Sequence, residues 1–305
     1  MNQVLQEIIE NNRSWTEKGT IATYIPELAK ANPHALGVYL VDMQNNEYFA
    51  GDVHTVFSIQ SISKIITFIC ALTDTDFNTI SKVISVEPTA DEFNSIANLE
   101  IKNTNKPLNP MINSGAIATI TLVKGKTYEE KFQRIFHFFK LVTDNPNLTI
   151  NEAIYQSESS TGDRNRSLAY YMKSTGIIHD EVEEILNIYF KLCSINVTCK
   201  DIARIGVVLA NNGIQPYSNQ RVIRKDICQI VKAVMSTCGM YSGSGSFATT
   251  VGMPAKSGVG GGILAVVPHK FGIGVVGPAL DASGNSIAGI KVLTELSSRL
   301  DLSIY

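Results

Sequence analysis

Ser61 and Lys64, within Phe57-Ser58-Ile59-Gln60-Ser61-Ile62-Ser63-Lys64, are the residues whose types and spacing could do chemistry together. Side chains three positions apart share a helix face, so Ser61 Oγ and Lys64 Nζ can meet at the start of an apolar run. A serine hydroxyl attacks a carbonyl well only when a base takes its proton, and a partly desolvated lysine can be that base. No other serine in the chain has a lysine three residues later. Taken alone, the tetrapeptide reads more readily as an ordinary helix start, with Ser58 or Ser61 as cap and Lys64 in solvent.

A second box shifts that balance. Lys256-Ser257-Gly258 sits in Met253-Pro254-Ala255-Lys256-Ser257-Gly258-Val259-Gly260-Gly261-Gly262 and leads into the apolar run Ile263-Leu264-Ala265-Val266-Val267. Serine-x-x-lysine followed by lysine-small-glycine supplies two of the three boxes of serine β-lactamases and penicillin-binding proteins. On an edge strand such a box lets a substrate lie along the backbone, and Lys256 would add positive charge near the nucleophile. A glycine-rich turn between strands is the ordinary alternative.

The elements that must position these boxes follow from periodicity. An amphipathic helix covers residues 2–12. Leu36 to Asp42 reads as a strand, Asn45-Asn46 as a turn, and Glu47 to Gly51 as the returning strand of a hairpin. An apolar helix spans 61–73, and 74–235 is mostly helical. Within it, segments 127–143, 150–155, 166–175, 180–192 and 198–211 show helical spacing, with Phe132, Phe136 and Phe139 read as core. Strands are expected at 246–252, 263–268 and 271–278, then a closing helix at 286–302 capped by Ser286. A helical block between two sheet-forming ends predicts an α/β (α+β) chain: an antiparallel sheet flanked by helices, plus an inserted all-helical lobe. The sheet lobe would take about 1–60 and 240–305, the helical lobe about 61–239, within one catalytic domain over 1–305. Ser61 then falls at the seam, where clefts tend to form.

Composition narrows the function classes. With 305 residues and 44% hydrophobic content, the chain can bury a full core. A net charge of −2 offers no footprint for nucleic acid, and 18% charged residues is too few for a disordered chain. The first ten residues lack a basic region and an apolar core of the signal-peptide kind, and no apolar run spans a bilayer. The five cysteines are odd in number without framework spacing, so reduced thiols and a cytoplasmic location are expected. No spacing of Cys and His suggests a metal, and no cofactor is called for.

Three further segments are more specific. Asn109-Pro110-Met111-Ile112-Asn113-Ser114-Gly115-Ala116, Glu158 with Thr161-Gly162-Asp163-Arg164-Asn165-Arg166, and Cys238-Gly239-Met240-Tyr241 together resemble the glutaminase family. The resemblance runs from about Gly19 to the C-terminal helix. It implies a β-lactamase-like fold, hydrolysis of L-glutamine to L-glutamate and ammonia, no cofactor or metal, and a homo-oligomer (dimer or tetramer). It also implies roles. Ser61 would be the nucleophile, Lys64 the residue that activates it, and Tyr241 an assistant in proton transfer. The backbone N–H groups of Ser61 and Val259 would form the oxyanion hole. Asn113, Glu158, Asn165, Tyr189 and Tyr241 would hold glutamine, supported by Tyr24 and Gln60. Which of Lys64 and Tyr241 is the first base stays open.

Taken singly, these residues have ordinary readings: Glu158 a solvated loop carboxylate, Asn113 a turn or cap residue, Tyr241 a loop aromatic. Asp163, Arg164 and Arg166 read as an ion-pair set holding their loop, and the glycine-rich stretch after Tyr241 as a loop over the site. No Ser-Asp-Asn box stands between the two lysine boxes, which counts against β-lactam hydrolysis. A glutamine-binding sensor without turnover is the non-enzymatic alternative.

Overall fold

A computed structural model of the chain describes residues 1–101 and 105–305. Its strands are β1 (Gly37–Asp42), β2 (Glu47–Gly51), β3 (Phe57–Ser58), β4 (Asn196–Val197), β5 (Ala255–Ser257), β6 (Gly262–Val267) and β7 (Phe271–Val276). The α-helices are α1 (Asn2–Asn12), α2 (Ser63–Asp74), α3 (Phe77–Val83), α4 (Ala97–Ile101), α5 (Asn113–Thr121), α6 (Tyr128–Thr143), α7 (Glu152–Ser160), α8 (Asp163–Ser174), α9 (Val182–Cys193), α10 (Cys199–Ala210), α11 (Lys225–Cys238), α12 (Ser244–Thr250) and α13 (Ile287–Leu300).

Five strands form one antiparallel sheet in the order β2-β1-β7-β6-β5. Side chains alternate across a strand, and here both faces are covered. Val38, Leu40, Ile263, Ala265 and Val275 pack with Leu5, Ile8 and Ile9 of α1 and Val292, Leu293 and Leu296 of α13. Tyr39, Val41, Leu264 and Val266 point the other way, into the larger core with Ile202, Ala203 and Val207 of α10. Helix α10 can sit this close because Gly272 has no side chain; a Cβ there would lie 1.9 Å from the Val207 nitrogen. β5, the strand of the Lys256-Ser257 box, is at an edge.

The helical region is organised around α2, whose residues Ser63 to Leu72 are all buried. A helix buried on every side belongs at the centre of a bundle, and α2 packs against α5, α6 and α11. Phe132 and Phe139 are buried in this core and Phe136 packs against it.

One expected element is wrong in kind. Residues 246–252 are not a strand; α12 occupies Ser244–Thr250. Thr249, Thr250 and Val251 are β-branched and suggested extended backbone, but tertiary contacts prevail. Ser244 Oγ accepts the Met240 N–H at 3.1 Å and donates to Tyr241 O at 2.9 Å, closing a turn that starts the helix. Phe247 then buries beside Met240, Val251 and Met253. The stretch after Tyr241 is therefore a short 3-10 turn, Tyr241–Gly243, running into helix rather than a loop.

Candidate active site

The polypeptide reaches Ser61 through a sharp change of direction. β3 pairs with β4, and the Ile59 N–H still bonds Ile195 O at 2.9 Å. Gln60 then adopts φ +49°, in the left-handed region that disfavours side chains. Such a residue costs about 1–3 kcal/mol and persists only where its surroundings hold it. Gln60 is held: its Nε2 donates to Ser58 Oγ and to Glu158 Oε2, each at 3.3 Å. Ser61 follows in the 3-10 turn Gln60–Ile62 that opens α2, and Lys64 lies in the first turn of that helix.

Lys64 is 2% exposed. Its Nζ donates to Met111 O at 3.1 Å and to Asn113 Oδ1 at 2.7 Å. Burial lowers its pKa to about 8, with Cys193 and Glu158 pulling the other way. A neutral amine has two N–H bonds and one lone pair. With both N–H bonds directed at oxygen acceptors, the lone pair is left free.

Asn113, the first residue of α5, is neither a turn nor an idle cap. Its Oδ1 accepts the hydrogen bond from Lys64 Nζ and its Nδ2 donates to Asn165 Oδ1 of α8 at 2.9 Å. Glu158 is not a solvated loop carboxylate: it is 5% exposed and sits on α7. Burial raises its pKa to about 7, against hydrogen bonds from Gln60 and Cys193 and the charge of Lys64. Tyr189 projects from α9, 5% exposed, and burial holds its phenol well above the usual range. Tyr24, on the segment before β1, is 55% exposed. With Gln60 and Ser61, these four residues and Asn165 line one cavity of about 70 Å³, shared with Phe93, Asn94 and Arg164.

Tyr241 and Val259 approach from the sheet side. Tyr241 has φ +54°. Its hydroxyl donates to Ser257 O at 3.4 Å, and its ring packs 4.9 Å from that of Phe93. Burial pushes its phenol up to about 12, partly offset by hydrogen bonds with Ser61 and Ser257. Val259 follows the lysine box in the β5–β6 turn. Gly258 lets that turn press on the Ser61 turn, since a Cβ there would lie 2.7 Å from Ile59 O and 3.4 Å from the Ser61 nitrogen. Tyr241 and Val259 border a wider cavity of about 650 Å³ next to the first, with Tyr24 and Phe93 on both walls. The smaller cavity is the one that reaches Ser61.

Lys256 departs from its expected part. It is fully buried, and its Nζ donates to Ser257 O at 2.6 Å and Gly239 O at 3.1 Å, 4.2 Å from the Tyr241 ring centre. Burial and the nearby charge of Lys64 hold its pKa well below normal. It fastens the sheet edge to the Tyr241 turn. Arg166 pairs with Glu183 at 3.2 Å and Asp163 at 3.8 Å, whereas Arg164 Nε donates to Asn94 O. These residues open α8 rather than hold a loop. Phe93 and Cys193 were missed; a lone phenylalanine and a lone cysteine carry no spacing signal. All five cysteines are free thiols, and no helix among the described residues is long and apolar enough to cross a membrane.

The chain matches a family model described as glutaminase over residues 19–305. It is 57% identical to a glutaminase of Clostridium tetani and 53% to one of Clostridium botulinum, covering all 305 residues and the whole of each relative. Among solved structures, a Bacillus glutaminase superposes with a TM-score of 0.92 at 39% identity, covering 99% of this chain and 98% of that one. A probable glutaminase from Bacillus subtilis complexed with 6-diazo-5-oxo-L-norleucine superposes with a TM-score of 0.91 at 38% identity, over 99% and 95% of the two chains. The likeness carries the β-lactamase-like fold expected from the sequence.

Proposed function

The chain belongs to the glutaminase family, and on that premise we propose that it hydrolyses L-glutamine to L-glutamate and ammonia with Ser61 as nucleophile. The observation that carries the mechanism is Lys64: buried, its pKa lowered to about 8, and its two hydrogen bonds directed at Met111 O and Asn113 Oδ1. Tyr241, pushed up to about 12, stays a phenol at neutral pH. Lys64 is therefore the better first base, and Tyr241 a relay for the same proton.

Glutamine offers an ammonium, a carboxylate and a distal neutral amide. Glu158 pairs with the ammonium, while Asn113, Asn165 and Tyr189 bond the rest of the head, with Tyr24 and Gln60 in support. Buried polar groups left unpaired by a wrong ligand give rejection ratios of about 10⁴ or more. Ser61 Oγ adds to the amide carbon as its proton passes to Lys64. The oxyanion receives the N–H groups of Ser61 and Val259, each such donor being worth about 3 kcal/mol. Collapse breaks the C–N bond, the amine leaves with the proton from Lys64 or Tyr241, and a γ-glutamyl ester remains on Ser61. Water then adds to the ester and releases glutamate.

Ammonia release from L-glutamine by the purified protein, beside its Ser61→Ala variant, tests this. We expect turnover that falls by about 10⁴-fold or more in the variant while glutamine still binds. Full activity in the variant would remove the mechanism, and inactivity of both folded proteins would remove the substrate. A single catalytic domain, a homo-oligomer and a cytoplasmic location belong to the same proposal. Light scattering showing only monomer would remove the oligomer.

A further inference from the structure

Asn285 has no part in the reaction as proposed, yet it is 2% exposed and both ends of its amide are engaged. Nδ2 lies 3.3 Å from Met240 O, and Oδ1 lies 2.6 Å from Ser257 Oγ. A carbonyl can only accept, so the amino end must face Met240 and the hydroxyl of Ser257 must donate to Oδ1. One side chain therefore joins the residue before Tyr241 to the strand that ends two residues before Val259.

The loop that carries Asn285 is itself fixed. Asp281 Oδ1 accepts the N–H groups of Ser283 and Asn285, both at 2.9 Å, and the Asp281 N–H bonds Asn285 O at 2.8 Å. The next residue, Ser286, caps α13 by accepting the Gly289 N–H at 3.0 Å. Gly284 of the same loop lies against both the Val259 side chain and the Tyr241 ring. Tyr241 needs such support because its backbone sits in the left-handed region at φ +54°, where a tyrosine stays only if neighbours hold it.

We propose that Asn285 is a positioning residue: its amide ties Met240 to Ser257, so that the Tyr241 phenol and the Val259 N–H are presented to Ser61 in fixed register. The proposal rests on the serine hydrolase reading above. It concerns groups that act on the reacting amide, not those that hold the glutamine head on the helical side. Loss of the tie should therefore slow turnover and leave KM nearly alone.

The test is steady-state kinetics with glutamine, together with the rate of inactivation by 6-diazo-5-oxo-L-norleucine, on wild type, Asn285→Ala, Ser257→Ala and the double variant. We expect kcat and the inactivation rate to fall together, by about 10- to 100-fold in Asn285→Ala, with KM within about threefold, as for an interaction made in the transition state. Ser257→Ala, a small change that keeps the Met240 tie, should lose less. The double variant should be no worse than Asn285→Ala, because the two residues act as one unit. Unchanged kcat in Asn285→Ala, a rise in KM equal to the loss, or additive losses in the double variant would overturn the proposal. If Asn285→Ala does not fold, Ser257→Ala decides: kcat equal to wild type would overturn it. An active wild type with insensitive variants removes this inference alone, whereas an inactive wild type removes the function beneath it.

Discussion

The two buried lysines of the site, one on the helical side and one on the sheet edge, have different surroundings. Lys256, on β5, has two carbonyl acceptors and an aromatic face around its Nζ. Lys64, on α2, donates to one carbonyl and one amide oxygen. The same contrast runs through the neighbours. The helical side also holds Glu158, a buried carboxylate with a pKa raised to about 7. The sheet side contributes the Tyr241 phenol, pushed up to about 12, and the Val259 turn.

The sharpest way to break this contrast is to remove each lysine in turn. Lys64→Met should lower kcat by about 10³-fold, the scale of a lost general base. Lys256→Met should lower it by about tenfold, through two buried carbonyls left without a donor, and should lower Tm as well. Equal losses in kcat would show that the two lysines share one role. Next in size is Gly258→Ala. Its methyl would meet Ile59 O and push the Val259 turn off the Ser61 turn, so kcat should fall by about 10²-fold, as for a lost oxyanion donor. An active variant would mean that Val259 N–H has no part in the reaction.

Glu158→Gln should act on binding rather than turnover, raising KM by about tenfold with kcat little changed, because it weakens ground and transition states alike. The same residue sharpens the pH dependence. Lys64 serves as base only when deprotonated, above about 8, and Glu158 holds an ammonium only when ionised, above about 7. Both terms make kcat/KM rise with pH between about 6 and 9, and Glu158→Gln should remove the lower step. A flat wild-type profile would contradict both assignments.

Much of this was legible in the sequence for definite reasons. Ser61 and Lys64 are three residues apart, Lys256-Ser257-Gly258 precedes an apolar run, and strongly periodic segments such as Tyr128–Thr143 and Val182–Cys193 are the helices α6 and α9. What was lost depends on contacts distant in sequence. Glu158 looks solvated between two serines, and only packing of α7 on α9 and on the segment Pro26–Lys30 buries it. The left-handed turns at Gln60 and Tyr241 fall on residues with no propensity for them. Thr249 to Val251 carry strand-like residues, but Phe247 and the Ser244 turn commit them to helix or its end. Asn285 bonds residues 28 and 45 positions away, a pairing no local pattern announces.

The claim that Ser61 is the nucleophile is tested most directly by reacting the protein with 6-diazo-5-oxo-L-norleucine and mapping the adduct by peptide mass spectrometry while following glutamine hydrolysis. The account predicts one adduct, on Ser61, appearing in step with the loss of activity and slowed by added glutamine. An adduct on another residue, or complete labelling of Ser61 in a protein that still hydrolyses glutamine, would contradict it.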